Sequence, residues 1–109
     1  SWWGASETLG AGQWRRNWFG IFSLSVSSWI YHEDLGWAFA EGKQRDSVWF
    51  WIDGWGWLWT SAANWNSDTG GGHVYRFDED EWHYLRSYGS PTNAQIYRYS
   101  TNEWMPLIK

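Results

Sequence analysis

The stretch Val74-Tyr75-Arg76-Phe77-Asp78-Glu79-Asp80-Glu81-Trp82-His83-Tyr84-Leu85 returns 22 residues later as Ile96-Tyr97-Arg98-Tyr99-Ser100-Thr101-Asn102-Glu103-Trp104-Met105-Pro106-Leu107. Tyr, Arg, Glu, Trp and Leu match identically, while Val/Ile and Phe/Tyr exchange within type. The alternation of side chains in each copy predicts two β-strands, and the four residues 78–81 or 100–103 predict the connection of a hairpin. In that register Phe77 faces Trp82 and Tyr75 faces Tyr84; in the second copy Tyr99 faces Trp104 and Tyr97 faces Pro106. Alternate residues of a strand share a face, so the rings of each hairpin point to one side. Pro106 has no N–H to give a ladder, which places its strand at a sheet edge or Pro106 at the strand's own end.

Two earlier segments obey the same rule with a connection one residue longer. Trp49 and Trp51 enter a turn at 52–56, and Trp57 and Trp59 leave it, with Phe50 and Leu58 on the opposite face. Asp53-Gly54 is a turn signal. Trp29 and Tyr31 precede a turn at 32–36, followed by Trp37 and Phe39. Aromatic quartets thus begin at 29, 49, 75 and 97. The pattern predicts an all-β, antiparallel single domain of four or five consecutive aromatic-rich hairpins, at 29–39, 49–59, 74–85 and 96–107. A meander, a solenoid-like stack and a small barrel all satisfy it, because a lone hairpin is marginal and several must share a core. In residues 1–28, Leu9-Gly10-Ala11-Gly12 reads as a turn, 14–22 as a strand, and 23–27 alternates, which predicts a fifth hairpin, a covering strand or an arm. Residues 60–73, with the run Gly70-Gly71-Gly72, read as the longest loop; 40–47 and 86–95 are the other connections.

Composition sets what this fold is built from. The 109 residues suffice for one domain with a modest core. They include 14 Trp, 6 Tyr and 5 Phe, against 6 Leu, 5 Ile, 3 Val and 1 Met. Each buried aromatic removes roughly 150–250 Å² from water, so the quartets are expected to supply most of the core or to clad the hairpins. Fourteen indole N–H groups are hard to satisfy in a small interior, however. Some Trp should therefore lie at the surface, and Trp55 in a turn, Trp65 in the long loop, and Trp2 and Trp3 at the terminus are the expected ones.

Charge and cysteine content exclude several classes. A net charge of −4, with 8 Lys and Arg spread over the chain, argues against a nucleic-acid partner, which needs a basic stripe. The absence of Cys removes disulfides and Cys-based metal sites. No apolar run approaches the roughly 18 residues of a membrane span. A start at Ser1 without Met, together with Ser-, Asn- and Gly-rich loops, leads to the expectation of a processed or excised extracellular protein.

The ordered series Trp18-Phe19-Gly20, Trp29-Ile30-Tyr31-His32, Leu35-Gly36-Trp37 and Gly56-Trp57-Leu58-Trp59-Thr60 resembles a Trp-rich repeat module found at the C-termini of large secreted bacterial surface proteins. The resemblance covers most of the chain and departs after Trp59, where a Gly-rich segment intervenes. It implies secretion and a surface role, and it carries over no catalytic residues. More loosely, Gly56-Trp57-Leu58-Trp59 and the repeat spacing are similar to the aromatic hairpin repeats of choline- and glucan-binding proteins. The copies at 74–85 and 96–107 also look like kelch fragments, but a kelch blade needs about 50 residues.

The residues that bear chemistry point away from catalysis. Glu33 and Asp34 share one turn, and Asp78 to Glu81 form an acidic run in another. Neighbouring carboxylates in a turn point different ways, unlike the pair a glycosidase sets about 5–10 Å apart across a cleft, so they are expected to be solvated. His32, His73 and His83 lack metal-ligand spacing. His32 is placed to bond a backbone carbonyl at a hairpin end. No Gly-x-Ser-x-Gly elbow or phosphate loop occurs. The expectation is a non-enzyme without cofactor or metal.

Two functions fit. In the first, flat rings stack on the C–H faces of a glycan or cell-surface polymer, through Trp37, Trp55, Trp57, Trp65 and Trp82, with Arg76 and Arg98 donating to hydroxyls. In the second, hairpins with open sheet edges make the chain a self-assembling subunit, a homo-oligomer or filament, of an extracellular fibre or surface layer.

Overall fold

The computed structural model describes residues 1–10 and 12–108. Among these described residues, twelve strands form one antiparallel sheet. In chain order they are β1 (Glu7–Thr8), β2 (Trp14–Asn17), β3 (Gly20–Leu24), β4 (Trp29–His32), β5 (Gly36–Glu41), β6 (Ser47–Ile52), β7 (Gly56–Ser61), β8 (Trp65–Asn66), β9 (Gly71–Arg76), β10 (Glu81–Arg86), β11 (Gln95–Arg98) and β12 (Glu103–Pro106). Each strand pairs with the next, except that β9 lies beside β7 and also takes β8. The all-β hairpin prediction holds, and of the arrangements left open the chain adopts the meander. The sheet does not close: β1 and β12 are its edges. Pro106 ends the edge strand β12, where its missing N–H breaks no ladder.

Residues 1–28 supply the fifth hairpin, because the strand expected over 14–22 is broken by a turn at Trp18-Phe19. Asn17 makes that turn: its Oδ1 accepts the Phe19 N–H at 2.8 Å. The turn expected at 9–12 includes Ala11, which lies outside the described residues. Half of the long loop expected over 60–73 is strand. Gly71 and Gly72 open β9 rather than providing slack, since a Cβ on either would run into the backbone carbonyl of Leu85 or Asn64.

One face of the sheet is the core. Phe22 on β3, Ile30 on β4, Ala38 and Ala40 on β5, Val48, Phe50 and Ile52 on β6, Leu58 on β7, Val74 on β9, Leu85 on β10 and Ile96 on β11 are all buried. A single layer can bury one face only by curling round it. Accordingly Phe19 packs on Phe50 at 5.3 Å and on Trp65 at 5.0 Å, and the β6–β7 turn reaches the chain beyond β12. Of the two places expected for the aromatic quartets, the core is overturned and the cladding of the hairpins holds. Trp29, Tyr31, Phe39, Trp49, Trp51, Trp57 and Trp59 are half-buried on the opposite, outer face, and Trp37 is 58% exposed. The few aliphatics, three Phe and three Trp fill the interior. The three are Trp2, Trp55 and Trp65, which were expected at the surface.

The first two quartets pair as predicted, with Trp29 opposite Phe39, Tyr31 opposite Trp37, Trp49 opposite Trp59 and Trp51 opposite Trp57. The last two hairpins are two residues out of the predicted register. Tyr75 faces Trp82 and His73 faces Tyr84; Tyr97 faces Trp104 and Gln95 faces Pro106. The cause is the turn. Asp80 and Asn102 adopt φ of +52° and +56°, so each turn closes at Arg76–Glu81 or Arg98–Glu103 and leaves Phe77 and Tyr99 in the turn itself. Asp and Asn tolerate this left-handed conformation because their short side chains bond locally. Tyr75 Oη donates to Asp80, and Tyr97 Oη donates to Asn102 Oδ1 at 2.8 Å. Asp80 also holds the Tyr75 phenol above its ordinary value, through that hydrogen bond first.

Candidate functional site: the outer aromatic face

Strand register arranges the outer rings in three rows that run across the strands. Trp29, Phe39, Trp51 and Trp57 form the first row, on β4 to β7. Trp49, Trp59, Tyr75 and Trp82 form the second, on β6, β7, β9 and β10. His73, Tyr84, Tyr97 and Trp104 form the third, on β9 to β12. Strands lie about 4.8 Å apart, too close for bulky rings to stand side by side. They tilt edge to face instead, touching the ring on the next strand, as Trp29 does Phe39 at 5.4 Å and Tyr75 does Trp82 at 5.8 Å, and reaching rings two strands away as well. Trp29 meets Trp51 at 6.1 Å, Phe39 meets Trp57 at 6.1 Å, Trp59 meets Trp82 at 6.2 Å and Tyr84 meets Trp104 at 6.5 Å, with planes 75–87° apart. Edge-to-face contact is the favoured geometry of the ring quadrupole and contributes about 0.5–1.5 kcal/mol per pair.

Some rings remain open to solvent. Trp37, Phe77, Trp82, Tyr99, Trp104 and Trp14 are exposed by 38–62%. Between the first two rows lies an open groove of about 370 Å³ lined by Glu41, Trp49, Trp57 and Phe77. Glu41 belongs there because residues 37, 39 and 41 of β5 share the outer face, and it sits opposite Trp49.

Of the ligand contacts predicted from the sequence, Trp37, Trp57 and Trp82 lie on this face. Trp55 and Trp65 do not: each is buried, and Trp55 Nε1 donates to the Leu107 carbonyl at 2.6 Å. Arg76 and Arg98 also lie on the inner side, in line with Val74 and Ile96. Both guanidiniums bond the Glu79 carboxylate, one to each oxygen. Arg76 Nε further donates to the Trp55 carbonyl at 3.0 Å, and its guanidinium lies 4.8 Å from the Trp55 ring. The repeated arginines thus clamp two hairpins and the β6–β7 turn together. Glu41, Trp49 and Phe77 were missed. The parity of 37, 39 and 41 was the available signal for Glu41, and the left-handed residue of the turn was the signal for Phe77.

The acidic turns are not simply solvated, as was expected. Asp34 is buried, while Glu33 is exposed. His32 is fully buried beside Asp34, and Nε2–H donates to the Phe19 carbonyl at 2.8 Å while Nδ1 accepts the Asp34 N–H at 3.0 Å. This two-sided bond fixes the neutral imidazole, and burial holds it below its ordinary value. His32 therefore staples the Trp18-Phe19 turn to the β4–β5 turn. Glu79, Glu81 and His83 bring possible ligand atoms within 4.8 Å of one another. Both Glu79 oxygens carry a guanidinium, however, so two positive charges already occupy the place a cation would take.

Comparison of the chain with family models, with curated proteins and with solved structures finds no match.

Proposed function

We propose that this chain is an extracellular, non-catalytic binding module that attaches to a glycan or cell-surface polymer through the rings of its outer face. The observation that carries the proposal is the division of labour in the sheet. The inner face closes a complete core, yet the opposite face displays three rows of rings, several of them largely open to water. Exposed aromatic patches of this kind mark binding surfaces, and amphipathic rings suit ligands with one apolar side. The likeness of the Trp18-to-Thr60 motifs to secreted surface modules supports the same role. Trp37 and Trp82 are the contacts of choice, being on that face and the most exposed of its indoles. Sedimentation with insoluble glycans tests this: cellulose, chitin or peptidoglycan should retain the protein, and Trp37→Ala or Trp82→Ala should weaken retention about tenfold. Failure of all three to retain the protein, or equal retention of both variants, would count against it.

A second reading is favoured by the unclosed sheet. Edge strands β1 and β12 present unpaired backbone groups to which another copy can add. In that reading the chain is a self-assembling subunit of a fibre or surface layer. Sedimentation velocity at high concentration separates the two, since a strictly monomeric species removes assembly and filaments favour it.

A further inference from the structure

Asp34, in the β4–β5 turn, is only 9% exposed, yet no hydrogen bond or ion pair reaches its carboxylate from the described residues. His32 beside it commits Nε2 to the Phe19 carbonyl and Nδ1 to the Asp34 N–H, so neither nitrogen serves the carboxylate. A charge buried in this way costs stability until a partner reaches it. The backbone around it is shaped to keep it there. A Cβ on Gly70, at φ +65°, would come within 2.8 Å of Asp34 Oδ1, and one on Gly20, at φ +121°, would lie 3.0 Å from His32 Nε2 and 3.6 Å from Asp34 Oδ2. Two left-handed glycines therefore make room for a carboxylate that gives the fold no bond in return.

Asp34 opens onto a cavity of about 480 Å³ whose walls include Arg16, Ile21, Glu33, Ser67 and Asp68. Its size is that of a small-molecule site. Three carboxylates share it with one guanidinium, that of the exposed Arg16, which has no ion pair among the described residues. Ile21 is the one apolar side chain of the lining, and no ring of the three outer rows reaches it. Among the described residues, only Glu79, Glu81 and His83 bring three ligand atoms within 4.8 Å of one another. Glu33, Asp34 and Asp68 are thus spread too widely to clasp a bare metal ion together. The cavity suits a larger group that is positive at one point and polar around it.

We infer that this cavity binds an amino sugar with a free ammonium, whose N–H groups the Asp34 carboxylate accepts. An ammonium brings three donors and no acceptor, and carboxylates meet it with charge-assisted bonds. The polar walls decide what carries it. The four-methylene stem of a lysine would find only Ile21 to lie against. Ring hydroxyls instead donate to Glu33 and Asp68 and accept from Arg16 and the Ser67 hydroxyl. The sugar in this inference rests on the glycan reading above; the ammonium does not, and the cavity is separate from the aromatic rows.

Titration with glucosamine hydrochloride at constant pH and ionic strength tests it, followed through the amide resonances of Gly20, Asp34 and Gly89. Saturable shifts are expected, with N-acetylglucosamine, which lacks the charge, binding at least about tenfold more weakly. Methylammonium chloride, which lacks the hydroxyls, should also bind about tenfold more weakly. Asp34→Asn should weaken glucosamine at least about tenfold, and Asp68→Asn about threefold. Asp68 is exposed, so its variant and the acetylated sugar still decide the matter if Asp34→Asn does not fold. Absence of saturation, equal binding of N-acetylglucosamine, or indifference to both substitutions overturns the site, and equal binding of methylammonium overturns its assignment to a sugar. Retention on insoluble glycans through Trp37 and Trp82 is read separately. If it persists when glucosamine fails, only the cavity inference falls; if it fails as well, the glycan reading falls with it.

Discussion

Phe50 and Trp51 are adjacent on β6, yet Phe50 is fully buried while Trp51 is half-exposed. Phe50 faces Leu58 and Ala40 across the ladder, and Trp51 faces Trp57 and Phe39. Both faces of this strand are apolar, so hydrophobicity alone does not decide which one is dry. For most of these residues the polar handle separates the two faces, with Phe39 outside and Trp2, Trp55 and Trp65 inside as the exceptions. Phe, Val, Ile and Leu carry no donor and can be sealed inside without a partner. Indoles and phenols bring an N–H or O–H, and an outer layer lets those groups reach water while the ring bodies pack edge to face.

The comparison predicts unequal penalties for two substitutions one residue apart. Phe50→Ala should destabilise by about 3–5 kcal/mol, since it opens a cavity where the curled sheet packs Phe19 on Phe50. For a domain of this size that is a large share of the total stability. Trp51→Ala should cost only about 1–2 kcal/mol, from lost edge-to-face contact with Trp29 and partial burial. Urea denaturation of the two variants measures both values. Equal costs would mean that the outer layer is as much a core as the inner one.

How far the sequence could lead is visible in these same residues. Period-two alternation separated Phe50 and Leu58 from the Trp49, Trp51, Trp57 and Trp59 set correctly, and it placed the turns after Ile52 and His32. Alternation cannot say which of two apolar sets faces inward. The scarcity of Leu and Val suggested that rings must replace them, but the inner face needs few residues because the sheet wraps on itself. The difficulty of satisfying indole N–H groups inside was the sounder guide. It was applied to Trp2, Trp55 and Trp65, which lie outside the strand pattern, instead of to the quartets. Trp55 shows why this failed, since a tertiary contact with the Leu107 carbonyl, 52 residues away, supplies its acceptor. The register of the last two hairpins was missed because Phe77 and Tyr99 look like strand aromatics. Only the left-handed Asp80 and Asn102 reveal that they belong to the turns.

Acid should weaken the fold through the two buried histidines of the inner face. Burial holds His32 below its ordinary value of 6.5, with the Phe19 bond and Asp34 opposing that shift. His83 is lowered too, by burial first, with Arg76 adding to the shift and Glu79 and Glu81 opposing it. The unfolded chain therefore takes up protons that the folded chain refuses. This contribution to stability is complete above pH 6.5 and declines as pH falls below it toward the folded values. Denaturation midpoints should fall between pH 7 and pH 5 with a slope that shows proton uptake on unfolding. A His32 imidazole resonance titrating at or above 6.5 in the folded protein would contradict the staple.

The smallest effects should come from the turns, and they sharpen a second contrast within the same meander. Each of the last four hairpins has a left-handed residue five positions after the last outer aromatic of its first strand. It is Gly36 and Gly56 in the earlier pair, and Asp80 and Asn102 in the later pair. Gly56 has φ of +77°, and a Cβ there would lie 2.7 Å from an Asp78 oxygen. Gly56→Ala should therefore cost about 1–2 kcal/mol, mostly from the left-handed strain that an L side chain meets. Asn102→Gly runs the other way. It relieves backbone strain at φ +56°, but it loses the Tyr97 hydroxyl bond and gives the unfolded chain more freedom. These terms are of similar size, so the net change should stay within about 0.5 kcal/mol. A larger loss on Asn102→Gly would mean that the tyrosine–asparagine bond, and not the tolerance of the turn for its backbone angle, fixes the register of β11 and β12. Tyr97→Phe, which removes the same bond and leaves the turn residue in place, would then show an equal loss.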